Sequence, residues 1–166
     1  MKFSLIAVGF AALAAAAPLG ARQANVFSTQ TFNDLSISGG TAGNAEQEAL
    51  DKLSGLPTDL TQVSKADLDF LNSVNQIANG AEKEAFNPAI EGATGEEAAA
   101  LERGKTKNKV LKLTATMLKL QAQQAQGKDV AAKMAEEQKK LDNNIAKDVA
   151  EAGNESTALD FEASTA

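Results

Sequence analysis

In TGEEAAALERGKTKNKVLKLTATMLKLQAQQAQ, residues 94–126, no proline occurs, and Thr94 with Glu97 reads as a capping box at the start of a helix. At 100° per residue, Val110, Leu111, Leu113, Ala115, Met117, Leu118, Leu120 and Ala122 cover about 200° of its circumference. So wide an apolar arc needs more than one neighbour. The stretch is therefore expected to be the central helix of an all-α bundle, ending near Gln126 before the breaker Gly127.

Working outward, the segment after Gly127 repeats the pattern. Val130, Met134, Leu141, Ile145 and Val149 form a stripe over a helix from about Asp129 to Ala152, with Gly153 as its C-cap. On the other side, Ser64 followed by Asp67 marks the start of a helix reaching about Phe86. Leu68, Leu71, Val74, Ile77, Ala78, Ala81 and Ala85 are its stripe, and Asn87-Pro88 is its expected stop. A first helix is read from Ala42 to Leu53, with Thr41 as N-cap and Gly55 and Pro57 behind it. Its small residues, Ala42, Gly43, Ala45 and Ala49, suit close packing against another helix. Residues 23–40 are rich in Ser, Thr and Asn, with a strand-like alternation at Leu35-Ser-Ile37-Ser that finds no partner strand. They are read as an extended arm, and residues 154–166, lacking any stripe, as a disordered tail. The fold expected is a small bundle of about four helices over residues 41–153.

The chain opens with MKFSLIAVGFAALAAAA, a short positive start followed by an apolar run too short to span a bilayer and then small residues. These read as a signal peptide over residues 1–16, with a cut expected between Ala16 and Ala17. Residues 17–22 read as a short pro-segment removed after Arg22. The expected product is extracellular, with no transmembrane segment in the mature chain. It keeps 144 residues, with 14 basic against 22 acidic side chains. Such an excess of acid argues against nucleic acid as a partner.

Absences narrow the chemistry further. Without Cys, stability rests on packing, although export would permit disulfides. Without His, the commonest general base and the commonest zinc ligand are both missing. Trp and Tyr, on which sugars stack, are also absent, so carbohydrate-active enzymes are disfavoured. No catalytic residue, cofactor or metal site is expected.

Three motifs invite a functional reading. Ala99-Ala-Leu-Glu-Arg-Gly104-Lys105-Thr106 satisfies a loose phosphate-loop pattern, but it sits inside a helix with no strand before it, so its N–H groups are already engaged. Lys105, Lys109, Lys112 and Lys119 lie within about 80° of one another and form a candidate anion-contact strip. The alternative is a solvated face balanced by acids such as Glu136, Glu137 and Asp148, and the lack of interleaved aromatics favours that alternative. Close carboxylate pairs, such as Asp67 with Asp69 and Glu82 with Glu84, read as solvated helix faces. Asn154-Glu-Ser156 is an N-glycosylation sequon just past the last helix.

Residues 30–45, QTFNDLSISGGTAGNA, resemble the small secreted proteins of filamentous ascomycete fungi, a family of unknown function. The likeness continues through Lys83-Glu-Ala-Phe-Asn-Pro88 and Lys107-Asn-Lys-Val-Leu-Lys-Leu-Thr114 and covers most of residues 27–152. The resemblance implies export and no assigned activity. The expected function is non-enzymatic action outside the cell, by contact with an extracellular protein or at the cell surface, with an effector role toward a host as one form of it. The alternative is a helical carrier of an apolar ligand or a binder of lipid or hydrophobic surfaces. A monomer is expected.

Overall fold

The computed structural model describes residues 25–165, so the expected cuts at Ala16, Ala17 and Arg22 lie outside the described residues. Helices dominate: α1 (Phe32–Leu35), α2 (Ala45–Lys52), α3 (Lys65–Ala81), α4 (Asn87–Gly92), α5 (Gly95–Ala125) and α6 (Ala131–Ala150). A 3₁₀ turn, Leu60–Gln62, precedes α3, and a π-helical turn, Glu82–Phe86, joins α3 to α4. Among the described residues there are no strands, only isolated bridges. The fold is an all-α bundle.

α5 is its axis, packing against α2, α3, α4 and α6. The apolar arc explains this only in part, because the buried band is wider than the arc. Arg103, Lys107, Asn108, Thr114 and Thr116 are buried with Val110, Leu111, Leu113, Ala115 and Met117. The main core gathers these apolar residues with Leu35, Ile37, Ala49, Leu53, Phe70, Leu71, Val74 and Leu141. A second, smaller cluster joins Phe32, Ala78, Ala81 and Phe86, with Leu159 and Phe161 packed on it.

Several expected boundaries move, each for a local reason. Asn87-Pro88 does not stop the chain. The π turn widens the winding just before Pro88, where the missing N–H and the ring would otherwise break an α-helical ladder, and the helix continues to Gly92. Thr94 is the N-cap residue of α5, but no side-chain hydrogen bond forms there, so the Thr94–Glu97 capping box is absent. Ser64 does cap α3, accepting from the Asp67 N–H at 3.0 Å. Thr41 does not cap α2, which starts later, at Ala45. Its donor is met from α6 instead, with the Ala45 N–H reaching Asp148 Oδ2 at 2.9 Å. Val149, placed in the apolar stripe of α6, is 56% exposed. Gly153 lies two residues beyond the C-cap, Glu151.

The larger correction concerns the arm and the tail. The arm contains the single turn α1, capped by Thr31. The tail is ordered. Thr31 bridges Ser164 and Thr41 bridges Glu155, while Phe32 donates to the Ala163 carbonyl at 2.8 Å and Thr165 to that of Gln30 at 2.9 Å. Residues 155–165 thus form a strap across α1, α3 and α5. Sequence periodicity could not show it, because an extended strap is held by backbone bonds and isolated anchors. Phe161 is one anchor, edge-on to Phe32 with ring centroids 5.7 Å apart. The arm has its own, Phe27 stacked on Phe70 at 4.4 Å.

Candidate functional site

The most informative concavity lies between α5 and α6, a cleft of about 340 Å³ walled by Ala42, Ala99, Ala150 and Thr106 and edged by charged side chains. Arg103 is its base and is only 7% exposed. Its Nε donates to the Glu155 carbonyl at 2.6 Å, Nη1 to Glu151 at 3.3 Å and Nη2 to Glu96. One guanidinium therefore ties the start of α5, the end of α6 and the strap together. Its fork of donors allows this, whereas a lysine ammonium is a point charge. Asp148, on the opposite wall, is buried. Oδ2 caps α2, and Oδ1 has no hydrogen-bond partner. The ring of Glu102, Arg103, Lys147 and Glu151 suits a polar contact surface. No Ser, Thr or Lys there is paired with an activating base, and among the described residues no group of three or more acids is placed to hold a metal.

The lysines of the candidate strip are distributed among different partners. Lys105 sits near Glu102 at 3.4 Å. Lys109 and Lys112 share Glu82 at 3.2 and 2.7 Å. Lys119 donates to Asn72 at 2.9 Å. The balancing acids are thus Glu102 for Lys105 and Glu82 of the π turn for Lys109 and Lys112, rather than Glu136, Glu137 or Asp148, the acids named from sequence. Burial alone would raise the Glu82 pKa, but the hydrogen bond and charge of Lys112, followed by Lys109, outweigh it and hold the carboxyl below its ordinary value. Burial, with the charge of Lys133 behind it, lowers Lys119.

Gly104, the glycine of the phosphate-loop look-alike, has a different use. It lies mid-helix, where the strap crosses α5, and a Cβ there would overlap the Thr157 carbonyl oxygen. The Thr157 N–H meanwhile donates to the Ala100 carbonyl at 3.1 Å. The glycine admits a backbone crossing and cradles no phosphate. Gly43 does similar work at the start of α2. With φ of +111°, a Cβ on it would stand 2.7 Å from that of Ala152. Asn154 is exposed at the exit from α6, whereas Ser156 of the same sequon is buried.

Sequence reasoning missed Arg103, Lys107 and Asp148 as organisers. Lys107 is fully buried, donating to the Gly39 and Thr41 carbonyls at 2.7 and 3.0 Å and pairing with Glu48 at 2.9 Å. A signal was present. Arg103, Lys107, Val110, Thr114 and Met117 repeat at helical spacing, and Asp148 continues the Leu141 and Ile145 row. A charge inside an apolar row marks a buried polar partner as well as any surface run does.

The profile of a domain of unknown function, DUF8454, matches residues 27–160. The chain belongs to this family. No curated protein and no solved structure matches the chain. The DUF8454 match takes in the Phe27 anchor, the whole helical body and the strap as far as Asp160, so these form one unit in the family as they do in the fold.

Proposed function

We propose that this DUF8454 chain is a small secreted fungal protein that acts without catalysis, through contact of its polar exterior with an extracellular protein or a cell-surface component, including contact with a host. The observation that carries the reading is the sequence of residues 1–22, a positive start, a short apolar run and small residues ending in Arg22, ahead of a cysteine-free bundle. Support comes from the way buried charges are used: Arg103, Lys107, Asp67 and Asp148 each hold backbone groups in place. The described clefts, of about 150 to 580 Å³, are open at the surface and edged by polar side chains, an arrangement suited to contact more than to enclosing an acyl chain. Among the described residues no helix is long and apolar enough to cross a membrane.

The test is expression of the whole chain in a yeast host. N-terminal sequencing of protein from the medium is expected to start at Gln23, with native mass spectrometry showing no bound lipid and washed cell walls or intact host cells retaining the protein. Retention inside the cells would overturn export. A stoichiometric acyl ligand would replace the contact reading with that of an apolar-ligand carrier.

A further inference from the structure

We propose that Asn154 is N-glycosylated, and that the sugar is added before the strap docks. The proposal rests on the export reading above. Asn154-Glu155-Ser156 has the required acceptor pattern, and its two essential residues have opposite fates in the fold. Asn154 is exposed on the turn leaving α6. Its Nδ2 donates to Glu151 Oε2 at 3.0 Å. An amide nitrogen carries two hydrogens, so a sugar replacing one leaves the other for Glu151. The backbone beneath is fixed at both ends: the Asn154 N–H donates to the Glu151 carbonyl and its own carbonyl accepts from Ala42, each at 3.0 Å. A glycan there has a rigid root at the rim of the Arg103 cleft.

Ser156 is only 5% exposed. Its N–H donates to the Gly40 carbonyl at 2.8 Å and its hydroxyl to that of Ser38 at 2.5 Å. The transferase reads that hydroxyl, and the folded strap hides it, so modification and docking occur in a set order. In the transfer, Nδ2 attacks the anomeric carbon of a lipid-diphosphate-linked oligosaccharide. The C–N bond forms as the C–O bond to the diphosphate breaks, lipid diphosphate leaves with the electron pair, and the Nδ2 proton goes to a base of the transferase.

The experiment secretes the full chain from yeast and measures intact mass before and after peptide N-glycosidase treatment. A mass excess removed by the enzyme is expected, with Asn154 converted to Asp in the released peptide. Asn154→Gln is expected to lose the excess, while Ser156→Thr, which preserves acceptor and hydroxyl, retains it. In a second arm, detergent-solubilised transferase and its lipid-linked donor are offered the unfolded or the pre-folded protein, and only the unfolded chain is expected to be modified. Secreted protein with unmodified Asn154 would overturn the proposal and leave export standing. A chain held in the cytosol would overturn both, and modification of the pre-folded protein would overturn the order.

Discussion

Gly104 shows how one missing side chain decides a crossing. In an exposed helix, Gly→Ala stabilises by about 0.5–1 kcal/mol. Here the added methyl meets the Thr157 carbonyl, in a strap that Arg103 holds at the Glu155 carbonyl and the Ala100 carbonyl holds at the Thr157 N–H. Overpacking of this kind costs roughly 1–3 kcal/mol. Gly104→Ala is therefore expected to lower stability despite its better helix propensity. Thermal melting, together with faster proteolysis within residues 155–165, would reveal it; a raised melting temperature would mean that the strap does not cross as described. Asp67 is a second such residue. One oxygen accepts from the Val26 and Phe27 N–H groups at 2.9 and 3.0 Å, and the other receives the Ser64 hydroxyl at 2.8 Å. From sequence it reads as half of a solvated acid pair and a cap; the fold instead buries it, with the arm as its partner.

Among the elements, the strap joins both ends of the described chain. It covers the Phe32 and Phe86 cluster and supplies the acceptor for Arg103 Nε. Deleting residues 154–166 is expected to cost roughly 3 kcal/mol or more, on the scale of exposing one large apolar side chain and leaving one buried donor unmet. Circular dichroism would still show helix, at a lower melting temperature, and a hydrophobic dye would gain fluorescence. An unchanged melt would mean that the strap contributes nothing to the body. α6 behaves differently. Its buried residues are only Glu137, Leu141 and Asp148, and Val149 faces solvent. Its attachment relies on the Arg103–Glu151 pair and on capping α2 as well as on apolar area.

For the whole molecule, the absence of histidine removes the usual titration near neutral pH. The acids that matter are Glu82 and Glu137, both held below the ordinary 4.5 despite burial, by Lys112 and Lys109 in one case and by Lys133 and Lys140 in the other. A folded-state pKa below the unfolded one contributes stability that is complete above the unfolded value and lost as pH falls through the folded value. The melting temperature is thus expected to hold nearly level from neutral pH to about 5 and to drop below 4.5, more gently in Glu82→Gln, whose baseline is lower. A loss of stability setting in near pH 6 would contradict this. Reductant is expected to have no effect, since no disulfide exists.

The sequence by itself determined the helical class, the central place of α5, the Ser64 cap and the absence of disulfides, because periodicity, capping and composition act over a few residues. Only the tertiary structure decided the ordered strap, the continuation through Pro88, the capping of α2 by Asp148 and the burial of Arg103 and Lys107. Those depend on groups far apart in the chain. The Asp148–Ala45 bond spans 103 residues and the Thr165–Gln30 pairing 135. A charge inside an apolar row marks burial, but nothing local says which backbone group the fold will bring to it, an N–H for a carboxylate or a carbonyl for an ammonium, from the other end of the chain.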